Sequence, residues 1–348
     1  MSTVLSVLEL EAHAVMMSLM GEHPQNIDCG VSATYATKPA PLKEPLVPFE
    51  HQVGGHSALS HAAGRVWKPM IRKEVTFYQK IWEEDSSPEC LWLRNWTPQY
   101  YGLFEREELG DECVTPQVGS GPLGGRVTEK PAKLEGNRGS EVEKGNSPWE
   151  KKLSEIRKRQ KPMRLYVCLE DLTARFSRPC ILDVKLGVRT YDDDASPEKK
   201  LRHQEKVRNT TSGKYGVRLS GMQVYMRKEG DYLFRDKYHG RTLTREGLVT
   251  NLQDFFDNGN GLRRDLVSRC KSKLECFKSF VDAQRLFYFY SSSLLIVYEG
   301  DEDVPNPSLD VRMIDFAHTQ PSFDDSDPGC SLGVSTLVKM LEEILGQD

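Results

Sequence analysis

Residues 179–187 of this chain read Pro179-Cys180-Ile181-Leu182-Asp183-Val184-Lys185-Leu186-Gly187, an apolar segment that carries one acid and one base. The pattern predicts a β-strand. Because alternate side chains of a strand project from one face, Asp183 and Lys185 should point together, with Ile181 one step before them. This pairing suits phosphoryl transfer, in which an Asp orients or deprotonates the acceptor and a Lys neutralises charge on the moving phosphate. The alternative is an exposed ion pair on an edge strand.

Two more apolar segments favour the catalytic interpretation. Residues 291–298 predict a buried strand, and residues 311–316 predict another in which Asp315 is the single acid. A lone buried carboxylate is costly unless it is hydrogen-bonded or binds a cation. Asp315 is therefore a candidate Mg²⁺ ligand, since proteins commonly hold this ion with a carboxylate and nucleotide phosphates.

Together, the three segments resemble the inositol polyphosphate kinase family, whose signature is P-x-x-x-D-x-K-x-G followed by an S-S-L-L strand and an I-D-F strand. The combination is far more specific than any one motif. The sequence is most similar to the inositol hexakisphosphate kinase branch in four segments, Asp193-Asp194-Ala195-Ser196, Gly221-Met222-Gln223-Val224-Tyr225, Asp236-Lys237-Tyr238 and Asp315-Phe316-Ala317-His318-Thr319. The resemblance extends over residues 47–108 and 163–346.

This resemblance implies an α+β fold with two lobes, kinase-like and related to the ATP-grasp and protein-kinase folds, with a helical segment that binds an inositol phosphate. We expect a disordered tail over residues 1–46, an N-terminal lobe over 47–108, and a hinge and C-terminal lobe over 163–348, with the substrate segment at 196–220. Residues 109–162 have few apolar side chains and many Gly, Pro, Glu, Lys, Asn and Ser residues, a composition typical of a disordered insert.

Composition excludes several classes of protein. The chain has 348 residues, of which 38% are hydrophobic, and a formal net charge of -4, which argues against a nucleic-acid-binding protein. Its eight cysteines form no C-x-x-C pair, and no signal peptide opens the chain, so we expect reduced thiols in the cytoplasm or nucleus. No apolar stretch suits a membrane span. We expect a soluble monomer whose insert is a candidate site for unidentified protein partners.

The nucleotide site should combine a lysine, a helix acid and the hinge. Residues 71–82 predict a helix with Glu74 near its start, six residues after Lys68. Kinases pair a strand Lys that contacts the α and β phosphates with a helix Glu that orients it. The resemblance further implies that ATP and Mg²⁺ are the cofactors, that the Glu170 carbonyl and the Leu172 amide bind adenine, and that Asp183 contacts the ribose.

Residues 198–218 are strongly basic, and several of these cations are candidates for binding substrate phosphates together with Lys185. A basic helix is usually a solvated face, yet Lys199, Arg202 and Lys206 are spaced to lie on one side of a helix. Each phosphate of a polyphosphorylated substrate needs charge-assisted donors. The candidates are Lys185, Lys199, Lys200, Arg202, Lys206 and Lys214.

The favoured function is ATP-dependent transfer of the γ-phosphoryl group to a phosphate of inositol hexakisphosphate, which makes a diphosphoinositol, with Asp183 and Lys185 as the catalytic pair. An inositol trisphosphate 3-kinase, an inositol polyphosphate multikinase and a non-catalytic inositide-binding scaffold are the alternatives. A protein kinase is disfavoured because the chain contains no H-R-D or D-F-G text. The stretch after Thr319 is shorter than the aromatic-rich stretch expected in the family, which bears on substrate contacts made there.

Overall fold

The computed structural model describes residues 40–43, 45–55, 57–83, 86–106, 155, 165–301, 303–304, 307–322 and 325–347. The strands are β1 (Ala40–Leu42), β2 (Val47–Pro48), β3 (Ser60–Ala62), β4 (Arg65–Pro69), β5 (Tyr100–Arg106), β6 (Leu165–Glu170), β7 (Pro179–Leu186), β8 (Val217–Met226), β9 (Asp231–Arg235), β10 (Phe287–Tyr288), β11 (Ser293–Glu299), β12 (Leu309–Ile314) and β13 (Gln320–Pro321). The helices are α1 (Arg72–Trp82), α2 (Pro88–Arg94), α3 (Pro197–Arg208), α4 (Thr211–Tyr215), α5 (Lys237–Thr242), α6 (Arg245–Phe255), α7 (Arg264–Ala283) and α8 (Pro328–Leu345).

The N-terminal lobe is a six-stranded sheet in the order β1-β5-β6-β4-β3-β2. Strand β6 lies between β4 and β5 and is antiparallel to both. The pairing of Lys68 with Val167 places the lysine in the sheet next to the strand that runs into the hinge. Strand β1 pairs in parallel with β5, so this sheet begins at Ala40, seven residues before the predicted lobe boundary.

The C-terminal lobe is built on a five-stranded sheet in the order β12-β11-β7-β8-β9. All eight residues of β7 are buried, as expected for a central strand. Asp183 pairs with Leu295 of β11 on one side and with Gly221 of β8 on the other. The ladder between β7 and β8 is irregular between Asp183 and Val184, where a bulge can redirect side chains.

Helices α1 and α2 join the two sheets through one continuous apolar core. Helix α1 packs Phe77 against Phe316, with ring centroids 4.0 Å apart, and α2 and its C-terminal end place Trp92 on Phe280 and Trp96 on Phe277 of α7. The aromatic contacts between these segments bury large apolar surfaces. The same buried cluster continues through β7, β8, α6, α7 and α8, so it spans both lobes. A smaller, separate cluster in the N-terminal sheet consists of Leu42, Ala62, Trp67, Tyr166 and Cys168.

Most predicted elements are confirmed, with shifts at their ends. The structure confirms the helix at 71–82 and the strands at 179–187 and 291–298 within two residues. The short helices α2 and α5 follow side-chain caps at Ser87 and Asp236 that the sequence analysis did not use. Asp315 is not inside its predicted strand but is the first residue after β12. The predicted insert lies outside the described residues except for Glu155, as does the predicted tail up to residue 39.

Two further observations, on the cysteines and on possible membrane spans, apply to the described residues. Six cysteines lie in this part of the chain, and each is a free thiol. Within the same residues, no helix combines the length and the apolar character that a membrane crossing requires.

Candidate active site

A cleft of 320 Å³ lies between the two lobes. The glycine loop, residues 49–55 and 57–59 between β2 and β3, forms one side of the cleft. The hinge, residues 170–173, forms its end, and β7, β11 and the segment after β12 contribute the opposite side. Ile181, Asp183 and Lys185 all line the cleft, so the predicted common face of β7 is confirmed.

The centre of the cleft is a chain of alternating charges. Lys68 Nζ lies 2.8 Å from Glu74 Oε1 and 2.8 Å from Asp315 Oδ1. Lys185 Nζ lies 2.9 Å from Asp315 Oδ2 and donates to the Ser291 carbonyl at 2.7 Å. The structure therefore brings together Lys68, Lys185 and Asp315, as the sequence analysis predicts. It also confirms the predicted pairing of Lys68 with the helix acid Glu74.

The electrostatics of this chain follow from burial and pairing. Burial alone would raise the pKa of Asp315, but Lys185 and Lys68 hold it well below the ordinary value, so Asp315 is a carboxylate. Burial alone would lower the pKa of Lys68, yet Asp315 and Glu74 outweigh that cost and raise it. Lys68 therefore remains an ammonium ion at neutral pH, suited to neutralising phosphate charge.

Asp315 has an unusual backbone conformation. Its φ of 67° lies in the left-handed region, which a residue with a Cβ adopts only at a cost. Phe316, the next residue, anchors the turn: its N–H donates to Glu74 Oε1 at 3.2 Å, and its ring is fully buried. The left-handed turn therefore directs the carboxylate of Asp315 toward the two lysines, while its neighbour packs in the core.

Asp183 is nearly inaccessible, with 2% of its surface exposed, and its Oδ1 has no hydrogen-bond partner among the described residues. Burial raises its pKa to about 6, partly opposed by the charge of Lys185 and reinforced by that of Asp315. The glycine loop lies directly on it, because a Cβ at Gly54 would be 2.2 Å from Asp183 Oδ2. Gly54 thus permits the loop to approach the carboxylate.

The hinge presents Glu170 and Leu172 to the cleft, as the family resemblance implies for adenine binding. Both the backbone and the side chain of Glu170 bind the backbone of Gln99. The Glu170 N–H donates to the Gln99 carbonyl at 2.9 Å, and Glu170 Oε2 accepts from the Gln99 N–H at 3.0 Å. Asp171 accepts from the Thr173 N–H at 2.8 Å and lies 3.1 Å from His61 Nε2 of β3. These contacts give the segment between the lobes one defined path. The adenine contact itself stays a prediction.

The other end of the cleft is strongly cationic. Lys206 of α3, Arg218 of β8 and Arg241 of α5 line it together with Lys237. Burial, followed by the charges of Arg218 and Arg241, lowers the pKa of Lys206 to about 8. Burial and the charge of Arg241 lower the pKa of Arg218 to about 10. The side chains repel one another, and this arrangement favours a ligand with several negative charges.

The sequence-predicted basic residues are divided between cleft and surface. Lys206 lines the cleft, whereas Lys199, Lys200, Arg202 and Lys214 do not. Lys200 donates to the Asp193 carbonyl at 2.6 Å, and Lys214 is exposed, with its Nζ 5.3 Å from the Tyr215 ring centroid. A role in substrate binding for these four residues stays a prediction.

Several polar residues of the cleft had no predicted role, among them Arg241, Lys237 and His318. Arg241 and Lys237 lie on the short helix α5, which the Asp236 cap signals but which has no basic run around it. His318 follows Asp315 by three residues and lines the cleft, and its side chain is held by Asp192 at 2.8 Å. A residue-type pattern could not select them, because they reach the cleft from separate segments.

A divalent cation would have one obvious protein ligand. No cluster of three or more His, Cys, Asp or Glu side chains suited to a metal occurs in the described part of the chain. Asp315 is a carboxylate in the cleft with about a quarter of its side chain exposed. One carboxylate fits an ion whose other ligands are phosphate oxygens and water, as is common for Mg²⁺.

The sequence pattern of the inositol polyphosphate kinases matches residues 166–342. The chain is 30% identical to inositol hexakisphosphate kinase 3 of Homo sapiens, over 86% of this chain and 95% of that protein. It is 31% identical to inositol hexakisphosphate kinase 2 of Oryctolagus cuniculus, over 86% of this chain and 94% of that protein. The chain belongs to the inositol polyphosphate kinase family. It is therefore a member of a family of phosphotransferases.

A solved structure of this family agrees with the fold. The inositol phosphate multikinase Ipk2 of S. cerevisiae, determined in complex with ADP and Mn²⁺, superposes with a TM-score of 0.57 over 81% of this chain and 99% of that one. The two sequences are 23% identical, so this likeness concerns the fold. It confirms the α+β, kinase-like architecture expected for an inositol polyphosphate kinase.

Proposed function

We propose that this protein is an ATP-dependent inositol hexakisphosphate kinase. The observation that carries the proposal is the cationic end of the cleft, where Lys206, Arg218 and Arg241 line the cavity and adjoin the charge chain of Lys185 and Asp315. Such a site favours an acceptor with many phosphates next to a transferring phosphoryl group. The relatives with 30% identity over most of the chain are named inositol hexakisphosphate kinases, which supports this choice of acceptor.

The reaction would use the two ends of the cleft together. ATP would lie with its adenine at Glu170 and Leu172 and its phosphates at Lys68, which Glu74 and Asp315 hold in place. An acceptor phosphate oxygen forms a bond to the γ-phosphorus as the bond from that phosphorus to the β–γ bridging oxygen breaks, and ADP leaves. Lys185 would neutralise charge on the transferring group.

Asp183 would act mainly by position. A phosphate monoester has its second pKa at about 6, so most of the acceptor is already deprotonated at neutral pH and little base catalysis is required. The buried carboxylate of Asp183 would instead exclude misplaced phosphate oxygens and contact the nucleotide ribose. Asp315 would hold Mg²⁺, which would withdraw charge from the nucleotide phosphates when bound.

The decisive experiment incubates the purified protein with Mg²⁺, ATP and inositol hexakisphosphate and separates the products by anion exchange. We expect a product that elutes later than the substrate, because a diphosphate adds charge to a ring with no free hydroxyl, together with one ADP per product. Phosphorylation restricted to hydroxyl-bearing inositol phosphates would indicate a multikinase or a trisphosphate 3-kinase. Binding without ADP release would indicate a scaffold.

Matched variants connect this activity to the site. Lys185→Ala and Asp315→Asn should each lower kcat by about 100-fold or more, since removing one electrostatic contact to a transition state typically costs that much. Lys339→Ala, an exposed lysine of α8 outside the cleft lining, should keep normal kcat. Circular dichroism establishes that all three are folded. Near-normal turnover by either cleft variant would refute the assigned roles.

We also propose a reducing compartment, the cytoplasm or nucleus, as the location. All six cysteines in the described residues are free thiols, which suits a compartment that keeps thiols reduced. Fluorescence microscopy of the tagged full chain tests this proposal, and accumulation in the secretory pathway would contradict it.

A further inference from the structure

Asp192 connects three segments of the chain at the edge of the cleft. It lies in the loop between β7 and α3, and only 7% of its surface is exposed. Its Oδ2 is 2.8 Å from His318 Nδ1, and its Oδ1 accepts from Gln320 Nε2 at 3.0 Å. Lys73, in the first turn of α1, places its Nζ 3.4 Å from Oδ1. One buried carboxylate therefore ties the segment after Asp315 to both lobes.

The contacts leave the charge of Asp192 well defined. Burial alone would raise its pKa, but the hydrogen bond and charge of His318, followed by Lys73 and Gln320, lower it below the ordinary value. Asp192 is thus ionised at neutral pH. A carboxylate can only accept hydrogen bonds, so the N–H at Nδ1 of His318 donates to Asp192. This hydrogen bond fixes the plane of the imidazole ring and leaves Nε2 as the other polar atom of the ring.

His318 contacts the loop that connects β7 to α3, and that loop also contacts α3. Thr190, two residues before Asp192, lines the cleft, and its Oγ1 lies 2.9 Å from His203 Nδ1 of α3. His318 also lines the cleft, three residues after Asp315, and about a third of its side chain is exposed. The imidazole therefore lines the cleft while it is held by the loop that leads from β7 to α3.

We propose that Asp192 is a positioning residue that orients His318 so that its Nε2 faces an acceptor phosphate in the cleft. The inference rests on the proposed function, because it assumes that a polyanionic acceptor occupies the cationic end. Asp192 would not touch the substrate. Its effect would pass through His318, and the short stretch after Thr319 would owe its position to the contact between Gln320 and the same carboxylate.

Asparagine is the informative substitution at this position. Three donors converge on the Asp192 carboxylate, from His318, Gln320 and Lys73, whereas an amide has one acceptor oxygen and turns its own NH₂ toward a donor. Asp192→Asn therefore keeps the shape of the side chain but loses the contacts that fix the imidazole. Asp194→Asn is the matched control, since Asp194 also contacts Lys73, at 3.5 Å, but is 76% exposed and has no contact with His318.

The test is a double-mutant cycle. Calorimetry measures the binding of inositol hexakisphosphate, and kinetics measures the KM for inositol hexakisphosphate and for ATP. Asp192→Asn should weaken binding about tenfold, the equivalent of one charge-assisted contact, with the KM for ATP unchanged. In a His318→Ala background the same change should alter binding less than twofold, because its effect passes through the imidazole. Equal losses in both backgrounds, or an equal loss for ATP, would overturn the proposal, as would an Asp194→Asn effect of the same size.

A second measurement is independent of the variants and of the acceptor. Long-range ¹H–¹⁵N correlation of the histidine rings in the unmodified protein, with the His318 signals assigned from His318→Gln, reports which ring nitrogen carries the proton. We expect a proton on Nδ1. A ring protonated on Nε2 alone would overturn the positioning role even if the protein phosphorylates inositol hexakisphosphate. A ring protonated on Nδ1 in a protein that does not use this acceptor would place the failure in the proposed function.

Discussion

At the scale of single residues, the buried negative charge of Asp183 lowers the stability of the folded protein. The carboxylate is buried, one of its oxygens has no hydrogen-bond partner among the described residues, and its pKa is raised to about 6. The ordinary value is 3.8, so the folded protein holds this proton more tightly than the unfolded chain does. Stability is therefore lost as the pH rises from about 4 to about 6, and the loss persists above that range.

Asp183→Asn should stabilise the protein at neutral pH while it impairs catalysis. The neutral amide avoids the cost of the buried charge, so we expect the free energy of unfolding at pH 7 to rise by about 2–3 kcal/mol, from the pKa difference. Near pH 3.5 the carboxyl is largely protonated in the folded state, and the gain should become small. Urea unfolding at both pH values measures this, with the exposed Asp194→Asn as a control. A variant less stable at pH 7, or a gain independent of pH, would contradict the account.

At the scale of elements, helix α3 combines a cleft face and a solvent face. Ser196 caps it and Pro197 occupies its first turn, so the chain enters the helix at a defined point. Lys206, in the last turn, reaches the cleft, whereas Arg202 is exposed and Lys200 contacts backbone. The helical spacing alone put Lys199, Arg202 and Lys206 on one side, but the neighbours of the helix decide which of them reaches the cleft.

Two lysine substitutions separate these faces. Lys206→Met should raise the KM for inositol hexakisphosphate about tenfold or more, because a partly buried charge-assisted contact is lost, and should leave the KM for ATP nearly unchanged. Lys214→Met removes an exposed charge on α4 and should change either KM less than twofold. Steady-state kinetics with each substrate varied in turn gives both values. Equal effects of the two substitutions would show that the whole segment binds the substrate, as the sequence analysis predicts.

The glycine loop supplies the second element-scale test. A Cβ at Gly54 would lie 2.2 Å from Asp183 Oδ2, so Gly54→Ala must move either the loop or the Asp183 carboxylate. We expect at least a tenfold loss of kcat/KM for ATP, since small misplacements of positioning groups are costly. Gly247→Ala in α6 meets mainly a flexible Leu243 side chain, 3.3 Å away, and should retain activity. Full activity of Gly54→Ala would show that the loop need not approach Asp183.

At the scale of the whole molecule, a continuous core supports a cleft with excess positive charge at one end. The aromatic contacts of α1 and α2 fix the N-terminal sheet to the C-terminal lobe, so the distance between the hinge and the cationic end is set by packing. Lys206, Arg218 and Arg241 are brought together by that packing despite their mutual repulsion. The ligand-free protein is therefore less stable than its apolar core alone would make it.

A bound polyanion should relieve this repulsion. Inositol hexakisphosphate at 100 times its Kd should stabilise the protein by about 2.7 kcal/mol, and the shift in Tm should shrink in high salt. Arg241→Gln should raise the Tm of the free protein and reduce the shift. Arg208→Gln, an exposed arginine of α3 outside the cleft lining, should do neither. Scanning calorimetry decides this, and an Arg241→Gln protein with a normal shift would exclude the arginine from the site.

Local sequence determined the elements and the chemistry of β7. Alternation along a strand follows from backbone geometry, so the shared face of Asp183 and Lys185 could be predicted without tertiary information. Apolar periodicity likewise predicted α1. Element ends and the short helices α2 and α5 were missed, because capping side chains rather than apolar patterns set them.

Only the tertiary structure decided which charges meet. The contacts of Asp315 with Lys68 and Lys185 join residues 247 and 130 positions apart, and the Asp192–His318 contact joins residues 126 positions apart. Side chains so distant in the chain approach each other through sheet register and core packing, which no local pattern encodes. For the same reason, the sequence presented a run of basic residues over 198–218, while the fold brought Lys206 and Arg218 of that run into the cleft and added Lys237 and Arg241 from α5.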